Sequence, residues 1–222
     1  MIDAGVGRVH EAERLDDAQV VGRVLAGETA LFELLIRRYN GRVYRALRAI
    51  LRDEAEVEDA MQQAYVRAYV HLAEFRGEAS FSTWLTRIAV NEGLGRLRAP
   101  VREVPLELGA DAATEGPSPE EAAAARETMT LLERAIDGLA VHHRTVYVLR
   151  EVEGLSTAEV ARVLGITEDA AKVRLHRARL ALRDGLAEAV GEAAPAAFRF
   201  LAPRCDRVVA AVMGALAVRG PG

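Results

Sequence analysis

The chain has 222 residues, with 29 basic and 33 acidic side chains and a net charge of −4 at neutral pH. This length suits one large or two small domains, and the acidic balance argues against nonspecific coating of nucleic acid, so any contact with DNA has to be local. A single cysteine, Cys205, excludes an internal disulfide and a cysteine-cluster metal site. Half of the residues are hydrophobic and 5% are aromatic, which favours an all-α fold.

Acidic residues interrupt the start of the chain at Asp3, Glu11, Glu13 and Asp16, which argues against a signal peptide. The longest apolar run, Val208–Val218, is too short to cross a bilayer. We therefore expect a cytoplasmic protein with no membrane insertion.

By composition the chain divides into two helical domains and three other parts. Residues 15–98 and 128–190 follow a helical pattern with few breakers, which predicts an N-terminal helical bundle and a C-terminal helical domain. Between them, residues 99–127 hold four of the seven prolines and far more acids than bases, which is typical of a flexible acidic linker. Residues 1–14 predict a loose tail, and residues 191–222 a C-terminal extension of unknown role.

In the C-terminal domain, the stretch LSTAEVARVLGITEDAAKVRLHRARLALRDGL (155–186) predicts two helices joined by a tight turn. Ser156 and Glu159 form a capping box at the start of the first helix, and Gly165 ends it. Thr167 is the predicted N-cap of the second helix. This order of elements predicts a helix-turn-helix domain.

The second of these helices separates an apolar side from a basic one. Its buried stripe is predicted to consist of Ala171, Leu175, Ala178 and Leu182. The outward side has no acid between residues 170 and 183 and carries Lys172, Val173, His176, Arg177, Arg179 and Arg183. Such a helix suits the DNA major groove, where guanidinium groups reach phosphates and guanine edges. A solvated basic helix in an ordinary bundle is the alternative.

In the N-terminal domain, the predicted helix Glu54–Leu72 carries apolar residues on two sides. Its inward stripe consists of Val57, Met61, Ala64, Ala68 and Leu72, and its outward side of Asp59, Gln62, Gln63, Val66 and Val70. Exposed valines among polar groups predict a surface that another protein covers. The alternative is cover by a neighbouring helix of the same domain.

The next stretch, FRGEASFSTW (75–84), combines aromatic and basic residues with a glycine-containing loop, and Ser80 or Ser82 is the predicted N-cap of the helix that follows. Proteins that bind single-stranded nucleic acid stack its bases on aromatic rings and neutralise its phosphates with basic side chains such as arginine. Trp84, Ile88 and Asn91 fall at helical spacing, and for Trp84 we favour a place in the core.

Together, three stretches resemble the extracytoplasmic-function type of bacterial RNA polymerase sigma factor. They are DEAEVEDAMQQAYVRAYVHL, FRGEASFSTWLTRIAVNEGLGRLR and LREVEGLSTAEVARVLGITEDAAKVRLHRARLAL, in the order that this family has and with a linker between the domains. The resemblance covers about residues 15–98 and 128–186.

The resemblance implies a specificity subunit and not an enzyme, with no catalytic residue, metal or cofactor. Its partners would be promoter DNA and core RNA polymerase, held through the clamp helices of the largest subunit and the flap of the second, and an anti-sigma factor is a further candidate. The linker would thread the polymerase. A free-standing helix-turn-helix regulator and a protein-binding helical adaptor are the alternatives, although residues 15–98 lack the strand pattern of a receiver domain.

The resemblance also implies roles for individual residues. The polymerase-binding residues would be Asp59, Gln62, Gln63 and Val66. The −10 strand would be held by Phe75, Arg76, Gly77, Ser80, Ser82, Ile88 and Asn91, with a flipped base in a pocket. The −35 duplex would be read by Lys172, Val173, His176, Arg177 and Arg179.

The C-terminal extension departs from the family, which normally has little sequence after its last DNA-binding helix. A short helix is predicted near Asp206–Val218, and it would dock on the factor's own core or on a regulator. For Cys205 we favour a packed thiol over a reactive one.

Overall fold

The computed structural model describes residues 15–98, 129–130, 132–186 and 202–219. Within these ranges the chain forms helices and no strand, which confirms the all-α fold class. The predicted tail 1–14 and the linker 99–127 lie outside the described residues, as does the side chain of Cys205. The exact domain boundaries stay predictions.

The first unit is a four-helix bundle. Two of its helices begin at aspartate N-caps: Asp16 accepts from the backbone N–H of Gln19 at 2.8 Å and Asp53 from that of Glu56 at 2.8 Å. Short 3₁₀ turns precede the second helix and follow the third. The four helices are α1 (Asp17–Leu25), α2 (Phe32–Arg48), α3 (Glu54–Val70) and α4 (Phe81–Arg98).

Helix α2 is the centre of this bundle, because α1, α3 and α4 all pack against it. The inward stripe predicted for α3 is confirmed, since all five of its residues are buried. The hydroxyl of Tyr65 donates to the backbone carbonyl of Ile36 at 3.3 Å and so links α3 to α2. On another side of α3, Arg67 pairs with Glu92 of α4 at 3.2 Å.

The second unit contains the predicted helix-turn-helix. Helical residues 132–138 precede α5 (Val141–Tyr147), which continues as a π-helical turn (Val148–Val152) and is followed by α6 (Thr157–Leu164) and α7 (Glu168–Leu186). The predicted capping box is present, because the Ser156 hydroxyl accepts from the backbone of Glu159 at 3.2 Å and the Glu159 carboxylate accepts in return at 2.9 Å. Thr167 caps α7 at the backbone N–H of Ala170, 3.1 Å away.

A further helix, α8 (Ala202–Arg219), is longer than the short helix that the sequence predicts near Asp206–Val218. It packs on α2 and α3 of the first unit. Docking on the factor's own core, one of the two placements we expected for this extension, is the observed one.

The two units also pack on each other, a question that the sequence leaves open. The carboxylate of Glu153, at the end of the π-helical turn, is only 2% exposed and lies between two arginines of α2. Arg42 donates to it at 3.0 Å and also to its backbone carbonyl at 3.1 Å, and Arg45 forms a second ion pair with it. A buried carboxylate stays charged only when it is paired and hydrogen-bonded in this way.

Two more arginines extend this contact. Arg48 of α2 makes a two-pronged pair with the carboxylate of Asp137, at 2.9 and 2.6 Å. In the opposite direction, the buried Arg144 of α5 donates to the backbone carbonyl of Ala49, which follows α2, at 2.7 Å. These charged groups meet α2 or the loop directly after it, while α6 packs on α4.

Replacement of Gly165 tests the turn between α6 and α7. This residue ends α6 in the left-handed region, with φ of 63°. Because a Cβ in that region costs roughly 1–2 kcal/mol, we expect Gly165→Ala to lower the free energy of unfolding by about that amount, measured by urea denaturation. Gly95→Ala in α4, where an added Cβ has open space, is the control and should not lower stability. Equal effects of the two changes would contradict this account of the turn.

Replacement of Glu153 tests the contact between the units. Glu153→Gln keeps the size of the side chain but removes the charge that Arg42 and Arg45 share. We expect a loss of about 1.5–3 kcal/mol in the free energy of unfolding, measured in urea at neutral pH. Glu151→Gln is the matched control, because Glu151 pairs with the exposed Arg179, and a surface pair contributes less than about 1 kcal/mol. If both variants unfold at the same urea concentration, the Glu153 pairs do not hold the units together.

Candidate nucleic-acid interface

The outward side of α7 is the first candidate surface. The predicted buried stripe is confirmed for Ala171, Ala178 and Leu182, and Leu175 is half-buried against the core. Opposite to it, Lys172, Val173, His176, Arg177 and Arg179 are all exposed. Helix α7 packs on α5 and α6, so the contact between the two units leaves its basic side open.

At about 100° per residue, Val173, His176 and Leu180 form the middle of this side, with Lys172 and Arg177 at its edges. Val173 is 50% exposed and Leu180 is 37% exposed, so two apolar side chains stand among the cations. Leu180 is not among the DNA-binding residues predicted from the sequence. It follows Val173 by seven residues, however, and this spacing places both side chains on one face of the helix. Apolar side chains at such positions suit thymine methyl groups.

Arg179 differs from the other predicted DNA-binding residues. It lies beyond the edge of the row, and its guanidinium group donates to Glu151 of the π-helical turn at 2.6 Å. Lys172 is also paired, with Asp169 at 3.1 Å, but both partners are largely exposed, so a DNA phosphate can replace this carboxylate at little cost.

A hollow of about 450 Å³ adjoins the N-terminal half of α7 and is lined by Val173, Arg174, Arg177 and the histidines that begin α5. Burial lowers the pKa of His143, and the neighbouring His142, Arg177 and Arg174 lower it further. The Nε2 atom of His143 is buried and has no hydrogen-bond partner among the described residues.

The second candidate surface is a cleft of about 460 Å³ beside the loop between α3 and α4. Among the predicted −10 residues it is lined by Phe75, Arg76 and Gly77, with Gly77 at a φ of 74° that its lack of a side chain permits. Thr83, Trp84 and Arg87 of α4 also line this side of the cleft. The cleft therefore combines aromatic rings with arginines, and two acids, Glu74 and Glu78, line it as well.

The aromatic residues of the cleft form one cluster. The ring of Trp84 lies 5.5 Å from that of Phe75 and 5.6 Å from that of Phe81, centroid to centroid. Trp84 thus packs against the core, as we expected, but it is only partly buried and also lines the cleft. The sequence predictions do not include this second role for Trp84. The position of Trp84 and Arg87 on one face of α4 indicates it.

Four predicted −10 residues do not line this cleft. Ser80 is the N-cap of α4, because its hydroxyl accepts from the backbone N–H of Thr83 at 3.1 Å, and it also contacts the hydroxyl of Ser82 at 2.9 Å. Ile88 and Asn91 lie on the same face of α4 as Trp84, about one and two turns further along. Asn91 is exposed and Ile88 half-buried.

The opposite wall of the cleft comes from the helix-turn-helix unit, through Arg162 and Val163 of α6. A hydrogen bond fixes this wall, because the hydroxyl of Thr83 donates to the carboxylate of Glu159 at 3.0 Å. Hydrogen bonds from the backbone and hydroxyl of Ser156, and then from Thr83, lower the pKa of Glu159. The cleft is therefore shared by both units.

The third candidate surface is the outward side of α3. Asp59 and Gln63 are exposed and Gln62 is half-buried, while Val70 is 57% exposed, as predicted. The prediction that Val66 is exposed is wrong, because it is only 6% exposed. The chain itself therefore covers Val66.

Within the described part of the chain, no helix is long and apolar enough to span a bilayer. The same residues contain no cluster of three or more histidine, cysteine or acidic side chains placed to hold a metal ion.

Two family models match the chain, in the order of the two helical units. Residues 35–102 match sigma-70 region 2, and residues 129–182 match sigma-70 region 4. The RNA polymerase sigma-H factor of Pseudomonas aeruginosa is 33% identical over 187 residues, which are 80% of this chain and 97% of the relative. The chain belongs to the sigma-70 family of RNA polymerase sigma factors, in the ECF group.

Other relatives agree with this assignment. The ECF sigma factor SigW of Bacillus subtilis is 32% identical over 75% of this chain and 94% of the relative, and the ECF sigma-E factor of Escherichia coli is 33% identical over 77% and 94%. As a sigma factor, the chain is a transcription initiation factor that binds core RNA polymerase and promoter DNA and is not an enzyme. The free-standing regulator is therefore excluded.

Solved structures show the same fold. The structure of CnrH in complex with the cytosolic domain of CnrY superposes with a TM-score of 0.55 at 25% identity, over 74% of this chain and 93% of that one. The sigma factor RpoE of Bartonella quintana, in complex with the anti-sigma factor NepR, gives a TM-score of 0.51 at 18% identity, over 69% and 92%.

Proposed function

We propose that the open side of α7 reads the −35 duplex in the major groove. The observation that supports this most directly is the row of exposed residues from Lys172 to Arg177, which stays uncovered although the two units pack together. Lys172 and Arg177 contact phosphates or guanine edges from the two edges of the row, and Val173 and Leu180 pack on base methyl groups between them. Arg179 contributes once it leaves Glu151.

The salt dependence of duplex binding tests this assignment. Lys172→Ala combined with Arg177→Ala removes two cations, so we expect weaker binding of the −35 duplex and a salt slope reduced by roughly two units. The duplex is first selected by run-off transcription with core polymerase over a promoter library, and binding is then titrated against salt.

The control for this test is Arg23→Ala combined with Arg37→Ala, which removes two cations from surface ion pairs on α1 and α2. This control has the same net charge as the α7 variant. If both double variants show the same salt slope, α7 does not contact the duplex.

For the −10 element, we propose that the cleft beside the α3–α4 loop holds the flipped base of the non-template strand. The rings of Phe75 and Trp84 provide surfaces on which bases stack. Arg76 and Arg87 line the same cleft and neutralise backbone phosphates. Asn91, further along α4, contacts a neighbouring base, because its amide both donates and accepts. Ser80 acts through the N-cap of α4, and Ser82 and Ile88 shape the same side.

Open-complex formation tests the cleft. Arg76→Ala combined with Arg87→Ala should reduce it about tenfold at a matched promoter, since a hydrogen bond to a charged group contributes roughly 1.5–3 kcal/mol. The measurement is permanganate reactivity of unpaired thymines in the −10 region at saturating holoenzyme. Asn91→Ala is tested alongside and should have the smaller effect.

Core polymerase affinity is the control, and it should be unchanged in both of these variants. Normal strand opening by the double arginine variant would show that the cleft does not hold the −10 strand. If Asn91→Ala reduces strand opening more than the double arginine variant does, the base pocket lies further along α4, near Asn91.

We propose further that Asp59, Gln62 and Gln63 on α3 contact the clamp helices of the largest polymerase subunit, and that the C-terminal unit contacts the flap of the second. The exposed Val70 extends this surface. Since the solved relatives CnrH and RpoE were captured with CnrY and NepR, we also propose an anti-sigma factor as a partner of this chain, which acts in the cytoplasm.

A further inference from the structure

Helix α8 is a part of the chain that neither family model covers. The region 4 match ends at residue 182, whereas α8 spans Ala202–Arg219. Although it follows the helix-turn-helix unit in sequence, its main contacts among the described residues are with α2 and α3 of the first unit. A segment outside the sigma factor regions therefore rests on the helices that region 2 contributes.

The contact of α8 with this surface is apolar. Val208, Val209 and Val212 are fully or almost fully buried and belong to the same hydrophobic core as α2 and α3, with Met213 packed partly against it. The opposite side of α8 carries the small exposed residues Ala210, Ala211 and Gly214. This division identifies one docking face and one solvent face.

A polar contact places one end of α8 on α3. Arg207 donates to the carboxylate of Glu58 at 2.9 Å, and Glu58 directly precedes Asp59 and lies one turn before Gln62. Glu58, Gln62 and Val66 follow at intervals of four residues, so they form one continuous stripe on α3. Tyr65 turns towards α2 and Arg67 towards α4, which leaves α8 as the described neighbour on the side of this stripe.

We propose that α8 occupies in cis the surface of α2 and α3 to which core polymerase binds, so that α8 and the polymerase compete for it. This inference rests on the polymerase contact proposed for α3. Polymerase binding then requires α8 to leave its groove, which lowers the apparent affinity by the fraction of chains in which the groove is free.

Full-length variants that loosen α8 test the competition. Val208→Asp combined with Val212→Asp places two charges in the docking face, and we expect core polymerase to bind this chain about tenfold more tightly than the unaltered one. Ala211→Asp adds the same kind of charge to the solvent face of α8 and should leave the affinity unchanged. Affinity is measured by fluorescence anisotropy of chains labelled at the N-terminus, with circular dichroism as the check on folding.

A second variant tests the competition in case the double aspartate chain does not fold. Arg207→Glu keeps the apolar contacts but repels Glu58, and it should tighten polymerase binding about threefold. If the docking-face variants, correctly folded, bind core polymerase no more tightly than Ala211→Asp, the competition is refuted while the sigma function stands. If Asp59 and Gln63 variants also leave polymerase affinity unchanged, the α3 assignment itself is wrong and the competition falls with it.

Discussion

The relative placement of the two units depends on the buried carboxylate of Glu153. Its position comes from a local irregularity, because α5 ends in a π-helical turn that directs the next residue towards α2. There Arg42 and Arg45 neutralise it, and without them a charge with so little exposure would be costly to bury. The contacts from Arg48 and Arg144 fall on the same helix or the loop after it, and the packing of α6 on α4 holds the second unit from a further side.

In this orientation the two surfaces proposed to bind DNA differ in how accessible they are. The open side of α7 points away from the first unit and keeps its cations exposed. The cleft, by contrast, has Arg162 and Val163 as a wall, and the bond from Thr83 to Glu159 holds that wall in place. A duplex therefore meets an accessible surface on α7, whereas a single strand in the cleft has to share space with α6. A wider cleft requires α6 to move away from α4.

Local signals in the sequence predict much of this architecture. The capping box at Ser156, the left-handed Gly165 and the stripe of α3 each depend on neighbours within a few residues, where helix geometry decides the outcome. The pairing of Glu153 with α2 joins residues more than a hundred positions apart, so it cannot be predicted from helical periodicity. Helical periodicity also assigns each side chain to only one face. Trp84 packs against the core, as the sequence predicts, and in addition lines the cleft, whereas Val66 is buried although its side of α3 predicts exposure.

Helix α2 contacts α1, α3, α4, the π-helical turn and α8, so it lies between the proposed polymerase surface and the helix-turn-helix unit. Two binding events are linked when both change the same structural element, and the linkage is then reciprocal for binding free energies. If α8 leaves α2 and α3 on polymerase binding, as proposed, the change falls on the helix that carries Arg42 and Arg45. Separation of the units would expose the same two arginines to solvent or phosphate. The proposed competition and the opening of the cleft would then be linked through α2, in addition to the flap contact proposed for the C-terminal unit.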